Sequence, residues 1–360
     1  MNMDNSLPFE TWKYEEQTKI KHQVFADYFQ KWINIVGSVH SLNYFDCFGG
    51  KGAYEQEDKI YFGSPILAAD IIKQSEKNLQ RDVSIVIIDK DKSNLENIDK
   101  ILKYKNLDTE PTYINEDFDK AINKILDDNP NLGPSFFLVD PFGFKIKIST
   151  LRRMLEIPKS EILLNFMYNG VNRNLGVPDA DQVLIDLFGT DEWKELEGLE
   201  SRKKEKKIIE LFRAKLKKFC GFVFPFRLCF PEMDRTYYYL IHLTNYSLGC
   251  EIIKGSFAKF NFGRVEYRGK NQNQMTIFDY DNIKISEIQK YLLSTYNGAS
   301  KKFLNIIEEQ IDETPYLVKN MRQAIKELEE DGKVSIDRKV KFTKSGKPAT
   351  GLSKKDTIQF

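Results

Sequence analysis

The sequence predicts a doubly wound α/β domain followed by a winged helix. Short apolar runs alternate with amphipathic helical patterns between residues 42 and 165. One run ends on an acidic residue and a glycine-rich turn, as strands do where such sheets bind ligands. Beyond residue 283 the pattern changes to three helices and a terminal pair of short apolar segments. The chain has 360 residues, which suggests two or three cores, and a 41% hydrophobic fraction excludes disorder for its bulk. No apolar stretch approaches the roughly 20 residues of a membrane span, and the polar start, Met1 to Pro8, lacks the apolar core of a secretory signal. Cys47, Cys220, Cys229 and Cys250 are dispersed without a C-x-x-C pair, which argues against a zinc site or disulfide framework and for a reducing cytoplasm.

Residues 18–35 open the domain as a helix. Ile20, Val24, Phe25, Tyr28, Phe29, Trp32 and Ile33 recur at spacings of three and four, making one face apolar. Segments 43–47, 83–89, 112–115, 136–140 and 162–165 read as buried strands, three of them continuously apolar as strands covered on both faces are. Between them, 64–77, 93–104, 118–127 and 149–155 read as helices, with Ser64 as N-cap before Pro65 and Ser93 as N-cap of the next. Residues 53–62 form an extra loop. Residues 180–219 read as two helices inserted at about 180–220, the second opening on Arg202, Lys203, Lys204, Lys206 and Lys207. Segment 237–244 fits a sixth strand. The polar stretch 261–282 is a linker or mobile loop between a domain of residues 1–260 and one of 283–360. There, helices at 285–295, 301–311 and 318–330 precede a hairpin of 333–338 with 356–360, a winged helix-turn-helix. No internal repeat is present.

The segment Tyr44-Phe45-Asp46-Cys47-Phe48-Gly49-Gly50-Lys51-Gly52 carries the first chemistry. Glycines there let the backbone approach a ligand and take positive φ. The spacing is not the G-x-G-x-x-G of a pyrophosphate cradle, and the preceding carboxylate repels phosphate but suits a cationic amino acid, such as the methionine end of S-adenosylmethionine. A plain strand-to-helix turn is the competing reading. Asp89, closing the second strand, can accept from ribose hydroxyls or simply be solvated beside Lys90. Asp117 can reach an adenine amino group or cap the helix from Phe118. Asp140-Pro141-Phe142-Gly143 ends the fourth strand. Its carboxylate and proline carbonyl can accept both hydrogens of an amine, and Phe142 can stack on an unpaired or flipped base. The competing reading is a turn around a buried Phe. Asn165, closing the fifth strand, faces the same cleft. His22, His40 and His242 have no acid at metal-ligand spacing, so no metal is expected.

These segments together resemble the Rossmann-like class I S-adenosylmethionine-dependent methyltransferases. Within them the chain resembles the bacterial and phage three-Cys-motif partner family, through Lys21-His22, Phe45 to Gly52, Gly63-Ser64-Pro65, Asp140 to Gly143, Leu163-Leu164-Asn165-Phe166 and Asn172-Arg173-Asn174. Tyr239-Leu240-Ile241, Thr244-Asn245 and Leu248-Gly249-Cys250-Glu251-Ile252 extend the likeness to about residue 258. The resemblance implies a methyltransferase-like fold, a cofactor set of Asp46, Phe48, Gly50, Gly52, Asp89 and Asp117, and catalytic positions Asp140, Pro141, Phe142 and Asn165. It also implies a three-Cys-motif protein as partner and a link to mobile elements or phage defence. Two departures stand out. The family's Phe-Ala-Gly-Pro-Gly is here Phe48-Gly49-Gly50-Lys51-Gly52, which puts a cation near the sulfonium site. The Asp-Pro-Pro-aromatic of amino-methyltransferases becomes Asp140-Pro141-Phe142-Gly143, with the ring one place early.

Net charge is only +1, but between Lys333 and Lys355 eight basic residues face one acid, Asp337. On a wing, Lys339, Lys341, Lys344 and Lys347 would grip the phosphates of DNA or RNA; a solvated tail is the alternative. The favoured expectation is a cytoplasmic methyltransferase acting on a base amine of nucleic acid. A non-catalytic partner subunit and a nucleotide-sensing DNA-binding regulator remain alternatives.

Overall fold

Apolar runs without alternation become strands buried on both faces. The computed structural model describes residues 7–76, 79, 81–229, 236–260, 265–267, 284–340 and 350–360. Its strands are β1 Trp12–Lys13, β2 Leu42–Asp46, β3 Ala53–Gln56, β4 Lys59–Phe62, β5 Val83–Ile88 and β6 Thr112–Ile114. They continue with β7 Ser135–Val139, β8 Glu161–Phe166, β9 Phe222–Cys229, β10 Thr236–Thr244 and β11 Val265–Tyr267. The main sheet runs β11-β9-β10-β8-β7-β2-β5-β6. Pairings from β8 to β6 are parallel, whereas β10 is antiparallel to both β8 and β9. A parallel sheet with one reversed strand, here β10, slotted in before the last parallel one, here β9, is the methyltransferase form of the Rossmann fold; β11 adds a second reversed strand at the edge. Adjacent residues enter opposite cores: Tyr44 and Phe136 on one face, Phe45 and Phe137 on the other.

The first face is covered by α1 Glu16–Val36, α2 Ser64–Ser75, α3 Lys92–Tyr104 and α9 Ser247–Lys259; the second by α4 Phe118–Asp128, α5 Ile148–Glu156, α6 Tyr168–Asn174, α7 Asp181–Phe188 and α8 Ser201–Leu216. Four sequence expectations need correction. Residues 53–62 are not a loop but the hairpin β3–β4, to which β1 adds a parallel strand. The strand β9 is hidden in the sequence because Pro225 and Arg227 interrupt its apolar run. Its partners in β11 are Phe226, Arg227 and Leu228, so Pro225 lies where β9 has a described neighbour on one side only, a place that tolerates a missing N–H. Ser64 is not the N-cap of α2: Gly63 holds that position, and Ser64 is the first helical residue. Likewise α3 is capped by Asp91, whose carboxylate accepts from the Ser93 N–H at 2.9 Å. Of the expected linker at 261–282, Val265–Tyr267 is an edge strand and the rest lies outside the described residues.

The carboxyl-terminal part contains α10 Ile285–Tyr296, β12 Ser300–Lys302, α11 Phe303–Gln310, α12 Val318–Glu330, β13 Ser335–Asp337 and β14 Thr357–Gln359. Its wing is a three-stranded antiparallel sheet, β12-β14-β13, rather than a bare hairpin. One continuous apolar core joins it to the main domain, running from Phe224, Phe226, Ile253 and Phe257 to Ile288, Leu292, Ile307 and Ile325. Buried charges fasten the same junction. The Lys254 ammonium donates to the carbonyls of Ile311 (2.9 Å), Thr314 (3.0 Å) and Tyr316, and burial pulls it down to about 8. Asp312 accepts from the Val223 N–H at 2.9 Å and pairs with Arg213 at 3.2 Å and Lys217 at 2.6 Å.

Candidate active site

The carboxyl ends of β2, β5, β7 and β8 bring the expected residues together. Asp46 ends β2 in complete burial. Its Oδ2 accepts from the Tyr44 hydroxyl at 2.8 Å, while Oδ1 has no hydrogen-bond partner among the described residues. Burial raises its carboxyl to about 6; the Ser64 and Tyr44 hydroxyls offset part of that, and the nearby charge of Asp140 adds to it. An acceptor left dry and undonated costs about 1–3 kcal/mol. A cationic amino group supplies the missing donor, so the residue fits the amino-acid end of a sulfonium cofactor.

Gly50 and Gly52 follow at φ +58° and +72°, which L side chains rarely adopt. Space confirms the need. A Cβ on Gly50 would lie 2.7 Å from the Trp12 ring, and one on Gly52 2.9 Å from Ile98. The N-terminal segment therefore straps across the turn. Glu10 exchanges hydrogen bonds with Asn97 at 2.8 and 2.9 Å, and Lys51 pairs with Glu10. That pair resolves the first departure, because the extra cation of the turn is drawn to the strap and neutralised.

Since β2 and β5 are neighbours, Asp89 lies beside Asp46. Its Oδ2 accepts from the Gly50 N–H at 2.8 Å, and its Oδ1 from the Asp91 N–H at 2.8 Å and Asn94 at 3.2 Å. Asp89 thus ties the glycine turn to β5, with three of about four lone pairs engaged. Asp117 caps α4 through the Asp119 N–H at 3.0 Å and pairs with Lys90 at 2.6 Å. Burial would raise its carboxyl, but Lys90 and the helix N–H groups hold it below the ordinary value. Phe48 packs against Phe118, with ring centroids 5.3 Å apart, at the same rim.

Asp140 stands one residue past β7. Lys21 of α1 donates to its Oδ2, and Asn165 Nδ2 donates to its Oδ1 at 2.6 Å. Burial alone would raise this carboxyl, yet Lys21 and Asn165 keep it below the usual aspartate value, so Asp140 is ionised. Asn165 is 5% exposed, and its Oδ1 has no partner among the described residues. Pro141 is buried, whereas Phe142 is 75% exposed and meets Trp12 edge-on at 5.1 Å. The ring expected to be a stacking platform is thus open to solvent. Beside Lys21, burial keeps His22 neutral with its titration lowered to about 3, and its Nδ1 lies 3.3 Å from the Tyr14 hydroxyl. Cys47 is buried, and burial pushes its thiol well up, so it is not a poised nucleophile.

Lys21 and Trp12 also border this site, through Asp140 and Gly50, and spacing alone did not reveal them. A signal for Lys21 existed, since it falls on the buried stripe of α1 between Ile20 and Val24, where a lysine needs a partner. For Trp12 there was none.

On the wing, Lys339 is exposed and pairs with Asp337 at 3.5 Å; Lys341, Lys344 and Lys347 lie outside the described residues. Other members of the basic run are answered by acids: Lys333 by Asp331 (2.9 Å), Arg338 by Glu329 through two bonds of 2.6 Å, and Lys354 by Glu251 (2.8 Å). Lys203, Lys206 and Lys207 of α8 likewise stand near Glu200 and Glu210. Among the described residues no group of three His, Cys, Asp or Glu side chains could hold a metal, and no helix is long and apolar enough to cross a membrane.

The family model of the GMT-like wHTH domain matches residues 266–341. The second unit of the chain is a winged helix. Among solved structures, protein LPL1258 from Legionella pneumophila is similar at 12% identity and a TM-score of 0.44, over 69% of this chain and 94% of its own. An rRNA methylase from Streptococcus thermophilus matches at 11% identity and 0.30, over 60% and 92%. A SAM-dependent methyltransferase from Agrobacterium tumefaciens matches at 13% and 0.34, over 60% and 61%. At such identities and scores these likenesses carry no weight for the chemistry. A search of the curated proteins finds no match.

Proposed function

We propose that the chain is an S-adenosylmethionine-dependent methyltransferase that modifies a base amine of nucleic acid. The observation that carries this is the juxtaposition of two carboxylates at neighbouring strand ends, in different surroundings. Asp46 is buried and its Oδ1 has no hydrogen-bond partner among the described residues, while Asp140 is ionised and close enough to raise its carboxyl. Asp46, Phe48, Gly50 and Gly52 would hold the cofactor, Asp89 fixing the glycine turn and Asp117 standing toward the adenine end. When bound, the cofactor supplies an electrophilic methyl group. Asp140, Pro141 and Asn165 stand on the side of the amine, and Phe142 offers the target base a face at the solvent-facing mouth. Tritiated methyl transfer to poly(A), poly(C) and poly(U) tests the reading, because uracil has no exocyclic amine. Label in poly(A) or poly(C) and none in poly(U) is expected; equal label in all three would point to ribose instead.

The winged helix would supply the hold on the polymer. Neutralising Lys339, Lys341, Lys344 and Lys347 together should weaken binding and flatten its salt dependence, by about 0.9 in log–log slope for each B-DNA phosphate that the variant no longer neutralises. An unchanged slope would assign the grip to another surface, the basic start of α8 first.

One observation favours a second reading. Asp89 is engaged by three protein donors and Asp140 by Lys21, as in a fold kept for assembly rather than turnover. The chain would then be a non-catalytic partner of a three-Cys-motif protein, a family it resembles. Calorimetry with S-adenosylhomocysteine separates the two: micromolar affinity supports the enzyme, and no heat at millimolar ligand supports the subunit.

A further inference from the structure

Two acceptors at the carboxyl ends of β2 and β8 are buried and lack a hydrogen-bond partner among the described residues: Asp46 Oδ1 and, beside Asp140, Asn165 Oδ1. The way the second one faces is imposed by its neighbours. An ionised carboxylate can only accept, so the Asn165 amide must turn its Nδ2 to Asp140, where it lies 2.6 Å away. Its carbonyl oxygen is thereby turned off the carboxylate. Asp140 spends its other oxygen on Lys21, and that ammonium in turn keeps Asp140 in the accepting state. Lys21, Asp140 and Asn165 therefore form a chain in which each group dictates the state of the next.

We propose that Asn165 Oδ1 is the acceptor for one hydrogen of the target amine, with Asp140 and Lys21 as positioning residues behind it. This rests on the base-amine reading and deepens it. The Pro141 carbonyl accepts the second hydrogen, so both acceptors are neutral and neither can take the proton before transfer. The nitrogen lone pair stays free for the methyl carbon. As the N–C bond forms, the C–S pair goes to sulfur, and the surplus N–H proton leaves to water at the mouth. Two neutral acceptors suit an uncharged aromatic amine, such as that of adenine or cytosine, which needs no proton removed before attack.

The test uses the full-length protein and whichever homopolymer the wild type labels. Asn165→Ala should lower kcat/KM for the polymer at least 100-fold, with affinity for S-adenosylhomocysteine within threefold. Asn165→Ser, which keeps the position polar, should behave likewise and serves if the alanine variant fails to fold. Lys21→Met should move the acidic limb of the rate profile toward neutrality, because Asp140 loses the cation that keeps it ionised; a lysine of structural role alone would not shift it. A readout without turnover is the preference of S-adenosylhomocysteine-loaded protein for oligonucleotides bearing the amine over counterparts lacking it, purine for adenine or 2-pyrimidinone for cytosine. Wild type should show at least a tenfold preference and Asn165→Ala none. Labelling within threefold of wild type, or a retained preference, in both Asn165 variants overturns this assignment alone. A wild type that labels no polymer overturns the base-amine reading and this inference with it.

Discussion

Replacing Asp46 by alanine is expected to weaken S-adenosylhomocysteine binding by roughly 10- to 150-fold, since a hydrogen bond to a charged group contributes about 1.5–3 kcal/mol. The unliganded protein should not be harmed. Burial raises Asp46 to about 6, so between about pH 4 and 6 the folded state holds a proton that the unfolded state has released. Stability therefore falls as pH rises through that window, by an amount on the order of 3 kcal/mol at neutrality. Asp46→Asn, which keeps the shape without the charge, should accordingly melt higher than wild type at pH 7 and no higher at pH 4. Ligand affinity of the wild type should be flat above about pH 6 and drop nearly tenfold per unit below it, as the carboxylate that meets the ammonium is lost. Melting curves and titrations across that range check both signs. Lost binding in a variant that has itself unfolded would make Asp46 a structural residue.

The largest effect on stability should come from the junction of the two units. The Asp312 side chain is 2% exposed and meets Arg213, Lys217 and the Val223 N–H at once. Asp312→Ala removes the anion and leaves the buried Val223 N–H without its acceptor, while Arg213 keeps Glu313 and Lys217 is partly exposed; breaking a buried pair typically costs about 3–5 kcal/mol. For 360 residues that is a fall of about 5 °C in melting temperature. Because the core runs unbroken from Phe224 to Ile325, calorimetry of wild type should show a single unfolding transition. Two separate transitions, or a variant within 1 °C of wild type, would contradict the coupling.

Strands whose neighbours cover both faces were legible, because nothing but continuous apolar residues survives there. Residues 44–46 and 136–139 could hardly be read otherwise. The hairpin β3–β4 was not, since its turn is made by Glu57 and Asp58 at φ 50° and 58°. No Asn-Gly or Asp-Gly announces it. Within the site, Asp46, Asp89, Asp140 and Asn165 were legible as polar residues closing apolar strands. What each one touches was not. Lys21 meets Asp140 across 119 positions of chain and Trp12 overlies Gly50 across 38, and no local pattern encodes such meetings. Asp117 shows the opposite case, where an ordinary capping role was visible in the sequence and is what the carboxylate does.

The ammonium of Lys254, sunk among the carbonyls of Ile311, Thr314 and Tyr316, bears on how the gene can be divided and recombined. A cut between α9 and α10 would take the three carbonyls away from that charge and bare it beside Phe224 on an apolar surface. The winged helix is therefore no cassette to be traded among proteins that share the first 260 residues. A replacement would have to carry a loop with carbonyls spaced like 311, 314 and 316, and an acid in the place of Asp312. Exchange between distant lineages should leave hybrids that express poorly.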